Sequence, residues 1–121
     1  MKKKIVSVIL VAAMAVGCLA GCGSKEAKNE DAFYIGGIGP VTGDAAIYGT
    51  AVQNGAQIAV DEINEAGGIN GHQIEYNFQD DQGDPEKAAN AYNTLKDWGM
   101  QVLMGTVTTG PCVSCLLYTS D

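Results

Sequence analysis

Between Phe33 and Met104 the apolar residues alternate between two spacings, and this alternation restricts the fold more than any other feature of the chain. Phe33-Tyr34-Ile35-Gly36-Gly37-Ile38 is a short apolar run closed by glycine, the pattern of a buried strand entering a loop. Residues 48–66 then carry Val52, Ala56, Ala59, Ile63 and Ala66 at helical spacing, with Gly55 expected to let the backbone approach a neighbour. Gly67-Gly68-Ile69-Asn70-Gly71 breaks the helix with a turn. In residues 73–79 the period drops to two, with Ile74, Tyr76 and Phe78 on one side of a strand. Asp84-Pro85-Glu86 opens a second helix, with an N-cap acceptor, proline at the first position and an acid near the positive end. Its apolar face is Ala88, Ala91, Tyr92, Leu95 and Trp98, and Gly99 ends it. Residues 101–104 form a third strand, followed by a small, hydroxyl-rich loop over 105–112.

Strand, helix, strand, helix, strand at these lengths predicts an α/β fold with right-handed crossovers and a parallel sheet. Ligands of such sheets bind beyond the carboxyl ends of the strands. The loops to watch are therefore residues 36–48, 80–84 and 105–112.

Composition bounds the partners. The chain has 121 residues, a formal net charge of −7, 46% hydrophobic residues and 3 Pro. The acidity argues against a nucleic-acid partner, and the apolar content against a wholly disordered chain. The ends need separate treatment. Lys2, Lys3 and Lys4 precede a mostly apolar run over residues 5–20 that closes on small residues, the layout of a secretory signal. That run falls short of the ~20 apolar residues of a membrane span. Leu19-Ala20-Gly21-Cys22 resembles the lipobox of bacterial lipoproteins, with Ala15-Val16-Gly17-Cys18 a weaker second candidate. Residues 1–21 are thus expected to be removed, Cys22 to be lipidated, and residues 22–31 to be a polar tether. The product is an exported protein, anchored to the outer face of the cell membrane and facing the periplasm in a Gram-negative cell. Loss of the three lysines and no acid makes the remainder more acidic still.

At the other end, Cys115-Leu116-Leu117-Tyr118-Thr119-Ser120-Asp121 resembles the translation of a transposon-end adapter used in sequencing libraries. Residues 115–121 are accordingly set apart from residues 32–114, the expected lobe.

Within those residues, Gly39-Pro40-Val41-Thr42-Gly43, Tyr48-Gly49, Gly55-Ala56, Ala59-Val60-Asp61-Glu62-Ile63-Asn64, Gly67-Gly68-Ile69-Asn70-Gly71, Asp80-Asp81 and Asp84-Pro85 follow one another in order and spacing. Together they resemble the start of the branched-chain amino-acid binding proteins of ABC importers, which have the type I periplasmic binding-protein fold. The resemblance implies the beginning of a Rossmann-like lobe, the first of two that close around a ligand and deliver it to permease subunits. It also implies strand order 2-1-3. By resemblance the loop Val107, Thr108, Thr109, Gly110 receives the α-carboxylate of an amino acid, with Thr109 making the contact through its hydroxyl and N–H. Helix capping is the other role for the Thr pair, and both can hold at once. Tyr48 matches a family tyrosine at the ligand; the alternative is a core tyrosine under the helix. Some relatives bridge this loop to the acidic loop with a disulfide, but the matching residues here are Gly83 and Thr108. The groups for the α-ammonium and side chain fall outside the matched region, so a receptor for another small solute, such as an amide, stays open.

Other signals are weaker. Gly37, Gly39 and Gly43 miss the dinucleotide spacing, and Pro40 has no N–H for a pyrophosphate. Cys112-x-x-Cys115 raises a thiol-disulfide oxidoreductase as the enzyme alternative. Asp80, Asp81, Asp84 and Glu86 lack the spacing of a calcium loop and read as capping and a solvated acidic loop. His72 stands without a metal partner or nucleophile, as a surface turn residue. No cofactor, metal or catalytic set is called for.

Overall fold

The computed structural model describes residues 29–118. The expected signal segment, Cys22, most of the tether and the last three residues lie outside the described residues. In chain order the elements are β1 (Phe33–Gly39), α1 (Ala46–Glu65), β2 (Ile74–Asp80), α2 (Pro85–Trp98), β3 (Val102–Thr106) and α3 (Thr109–Tyr118). The strands form one parallel sheet in the order β2-β1-β3. This is the α/β architecture and the strand order expected.

Because β1 leads to one neighbour and β2 leads back past it to the other, right-handed crossovers place α1 and α2 on opposite faces. α3 packs beside α2. The core lies on the α2 face: Ile38, Ala88, Ala91, Leu95 and Cys115 are buried, with Tyr92, Trp98, Met100 and Leu103 packed around them. Full burial of the Leu95 side chain contributes about 2 kcal/mol. The apolar face read for α2 is the face that packs.

The ends of α2 follow from its sequence. Asp84, in extended conformation, accepts hydrogen bonds from the Glu86 and Lys87 N–H groups, both at 2.9 Å. Pro85 begins the helix, and Gly99 ends it at φ 99°, donating to the Leu95 and Lys96 carbonyls.

α1 departs from the expected face. Its buried residues are Gly49 and Val60, with Gln53, Ala56 and Asn64 half-buried. Val52, Ala59, Ile63 and Ala66 are exposed. The packed stripe is displaced by about one residue because Asn64, polar as it is, is well satisfied there. Its side chain accepts from the Ile74 N–H at 2.7 Å and donates to the Ile74 carbonyl at 2.9 Å. The close approach also falls elsewhere than expected. Gly55 has open space around it, whereas Gly49 lies against the Pro40 backbone.

β3 extends to Thr106, and α3 begins at Thr109, so the expected long loop contracts to Val107 and Thr108. The pairing of β1 with β3 shifts register between Gly37 and Ile38. Gly105, at φ 46°, is the extra residue between the partners Met104 and Thr106. α3 continues past Ser114 to Tyr118, and Cys115 is 3% exposed.

Candidate functional site

The carboxyl edge of the sheet is formed by three short connections: residues 40–45 after β1, 81–84 after β2, and 107–108 after β3. As β1 is central, its loop lies between the other two.

Absence of side chains at the end of β1 brings the outer loops inward. A Cβ on Gly39 would lie 2.5 Å from Val107 Cγ2 and 3.1 Å from Phe78 Cζ, so glycine lets both side chains close over the strand. Val107 thereby joins the β3–α3 connection to the foot of the β1–α1 loop. Pro40, fully buried, carries the chain onward beneath Gly49 of α1.

Thr108 and Thr109 mark the start of α3. The Thr108 carbonyl accepts the first helical hydrogen bond, from the Cys112 N–H at 3.0 Å. The opening N–H groups of a helix have no partner within it, and Pro111 has none to give, so the donors offered at this end belong to Thr108, Thr109 and Gly110. Thr109 is exposed, while the Thr108 hydroxyl oxygen is buried and has no hydrogen-bond partner. Gly110 passes beside α2, where a Cβ would lie 3.4 Å from Pro85 Cγ. Ser114, one turn on, donates to the Pro85 carbonyl at 2.9 Å. Donors, hydroxyls and the positive end of the helix macrodipole together suit an anion such as a carboxylate.

Tyr48 stands in the first turn of α1 and is 67% exposed, so it is no core residue beneath the helix.

The acidic loop divides into three environments, of which the cap at Asp84 was expected from the sequence. Asp84 caps α2. Asp80 accepts hydrogen bonds across the sheet from the Val41 N–H at 2.9 Å and the Thr42 hydroxyl at 2.5 Å, and from the Gln82 N–H at 2.9 Å. Partial burial raises its pKa, but the hydrogen bonds from Thr42, Val41 and Gln82 outweigh that and hold the carboxyl below its ordinary value. Asp81, expected to be solvated, is 0% exposed. Burial pushes its pKa up and the charges of Asp80 and Asp84 add to this, against the lowering effect of the Gly83 N–H. Its Oδ1 accepts that N–H at 2.8 Å, and Oδ2 has no partner. Continued strand alternation was the available signal: Asp81 has the parity of Gln79 and faces the α2 side, while Asp80 has the parity of Phe78.

The pair Cys112 and Cys115 is not joined in a disulfide, and nothing in its geometry supports the oxidoreductase alternative. Both thiols are free, Cys112 exposed and Cys115 buried. Burial raises the Cys115 pKa, with Asp81 and Cys112 adding to the shift, so Cys115 is held as the thiol. A cavity of about 310 Å³ beside them, between β3 and α3, is lined largely by apolar groups including Met100, Leu103 and Leu116. Among the described residues no cluster of three or more His, Cys, Asp or Glu side chains is placed to hold a metal ion.

Comparison with known proteins agrees with this architecture. A Leu/Ile/Val-binding protein, BraC3 of Rhizobium johnstonii, is 44% identical over 79 residues, which are 65% of this chain and 22% of that protein. A leucine-, isoleucine-, valine-, threonine- and alanine-binding protein of Pseudomonas aeruginosa is 38% identical over 98 residues, 81% of this chain and 25% of that protein. The chain thus spans about a quarter of the length of such relatives. Among solved structures, the branched-chain amino acid transporter substrate-binding protein LivJ of Streptococcus pneumoniae, in complex with isoleucine, superposes with a TM-score of 0.69 at 37% identity, covering 74% of this chain and 26% of that one. The sequence model of the periplasmic binding protein family matches residues 32–116, and with the parallel sheet and its carboxyl-edge loops this establishes that the chain belongs to that family.

Proposed function

We propose that this chain is the opening part of the first lobe of an extracytoplasmic receptor that binds a branched-chain or related amino acid for an ABC importer. The observation that carries the reading is the start of α3. Exposed Thr109 and the free N–H groups of that turn lie at the carboxyl edge of a parallel sheet, next to the β1–α1 loop that leads to Tyr48. The ligand's α-carboxylate is received by the Thr109 hydroxyl and N–H, with Val107, Thr108 and Gly110 shaping the turn and Tyr48 bordering the ligand. A second lobe closes over it, and closure is favoured because only the closed form lets both lobes touch one ligand. The protein binds and releases; it does not catalyse.

The names of the relatives support the ligand class, since those proteins bind Leu, Ile and Val. The sequence motifs support the placement: residues 1–21 act as a signal, Cys22 carries lipid, residues 22–31 form the tether, and the protein faces outward from the membrane. Residues 115–121 are of adapter origin, and rereading the source DNA checks this: different codons after Ser114 support it, and the same codons within an intact gene refute it.

Calorimetric titration of the full-length gene product with leucine, isoleucine, valine and unrelated amino acids tests the function. Saturable binding of the branched-chain set is expected. Thr109→Ala should weaken isoleucine binding by about tenfold or more, as for loss of a hydrogen bond to a charged group, and Thr109→Ser should retain it. No binding across the panel would overturn the receptor reading, and unaltered binding by Thr109→Ala would remove that residue from the site.

A further inference from the structure

The loop that connects β1 to α1 is held from outside. α1 starts after Ala45, whose side chain supplies no capping hydrogen bond, and its first turn contains no acid. α2 has both, through Asp84 and Glu86. What reaches the β1–α1 loop instead is the last residue of the neighbouring strand. Asp80, opposite Gly39 in the parallel register, accepts the Val41 N–H on Oδ1 and the Thr42 hydroxyl on Oδ2. The same Oδ1 also accepts the Gln82 N–H, so one carboxylate binds two of the three carboxyl-edge loops together. The Asp81 N–H donates to the Gly39 carbonyl at 3.3 Å just below this junction.

We propose that Asp80 is a positioning residue for ligand binding: its carboxylate fixes the β1–α1 loop, and with it the turn of α1 that carries Tyr48, before the ligand arrives. The proposal rests on the receptor reading above. Hydrogen bonds to an ionised acceptor are roughly twice as strong as neutral ones, and a loop already ordered loses little freedom when a ligand docks on it. Asp80 itself need not touch the ligand. An asparagine in its place keeps an oxygen for the Val41 and Gln82 N–H groups and offers its NH2 group to the Thr42 oxygen, so it should serve as the conservative replacement.

The test uses the full-length protein, wild type, Asp80→Ala and Asp80→Asn, with amide hydrogen exchange measured without ligand and isoleucine as the binding probe. In Asp80→Ala the Val41 and Thr42 amides are expected to exchange about tenfold faster or more, while those of Ile38 in β1 and Leu95 in α2 keep their wild-type rates, and the isoleucine Kd rises about tenfold. Asp80→Asn should stay within about threefold of wild type on both measures. Unchanged exchange in Asp80→Ala would overturn the proposal, as would a loosened loop with unchanged Kd, or a Kd equally weakened in Asp80→Asn despite a protected loop. If Asp80→Ala does not fold, the same two comparisons between Asp80→Asn and Thr42→Val decide it: Thr42→Val removes one hydrogen bond and should lie between wild type and full release. A wild-type protein that binds no amino acid of the panel would refute the receptor reading, and loop exchange would then decide the clamp by itself.

Discussion

Two glycines of α1 should respond in opposite directions to the same substitution. At Gly49 an added Cβ would lie 2.5 Å from the Pro40 carbonyl carbon and 2.9 Å from the Pro40 nitrogen, and nearer still to the carbonyl oxygen. Both partners are backbone and Pro40 is fully buried, so no rotamer change relieves the overlap; the helix must lift from the sheet. Overpacking costs about 1–3 kcal/mol, and a backbone clash belongs near the upper value. Alanine returns about 1 kcal/mol of helix propensity. Gly49→Ala is therefore expected to destabilise by about 2 kcal/mol. At Gly55 nothing lies within 4 Å of the added atom, so only the propensity gain of about 1 kcal/mol applies. The unfolded chain loses the same freedom in both variants, so their difference, about 3 kcal/mol, reports the native contact alone. Urea unfolding of the full-length protein, followed by circular dichroism, measures it as midpoints displaced to opposite sides of wild type. Stabilities for the two variants that agree within about 0.5 kcal/mol would refute the close approach of α1 to Pro40.

Asp84→Ala removes the acceptor of two N–H groups at the start of α2 and should destabilise by about 1 kcal/mol, read from the same urea midpoints; no loss would mean that the cap is redundant. Asp81→Asn tests the buried carboxyl. Because the native pKa of Asp81 is raised, the folded state holds its proton longer than the unfolded chain, and stability falls as pH climbs from the unfolded aspartate value through the raised native one. The variant has no such fall, so its stability relative to wild type should improve between pH values below and above that window, and a constant difference would refute the assignment.

The alternation of apolar spacing carried the fold because each change of period coincides with a real element. The face of α2 was legible since Ala88, Ala91 and Leu95 are both apolar and buried. α1 was not, for a physical reason: Asn64 and Gln53 lie on its packed side and Val52 and Ile63 on its open side, so a reading that counts only apolar residues turns the helix by about one position. Asn64 earns its place through two hydrogen bonds to Ile74, and no spacing rule reports a hydrogen bond to a distant residue. The loops after the strands were located from topology, but their inner wiring was not. Asp80 and Asp81 are chemically identical neighbours, and only the alternation at the end of β2 distinguishes a half-buried carboxylate bonded to the β1–α1 loop from a fully buried one.

The strand that is central in space is also the earliest of the three in the chain. As the polypeptide emerges, β1 has no partner until the residues from Ile74 onward have followed, and its second edge stays open until Val102 has been made. Asp80, which bonds the β1–α1 loop, and Val107, which lies against Gly39, are therefore acquired in sequence, one on each side of a strand that waits. Because β1 carries both pairings, a disruption of β1 removes both, whereas one in β3 leaves the β1–β2 pairing intact.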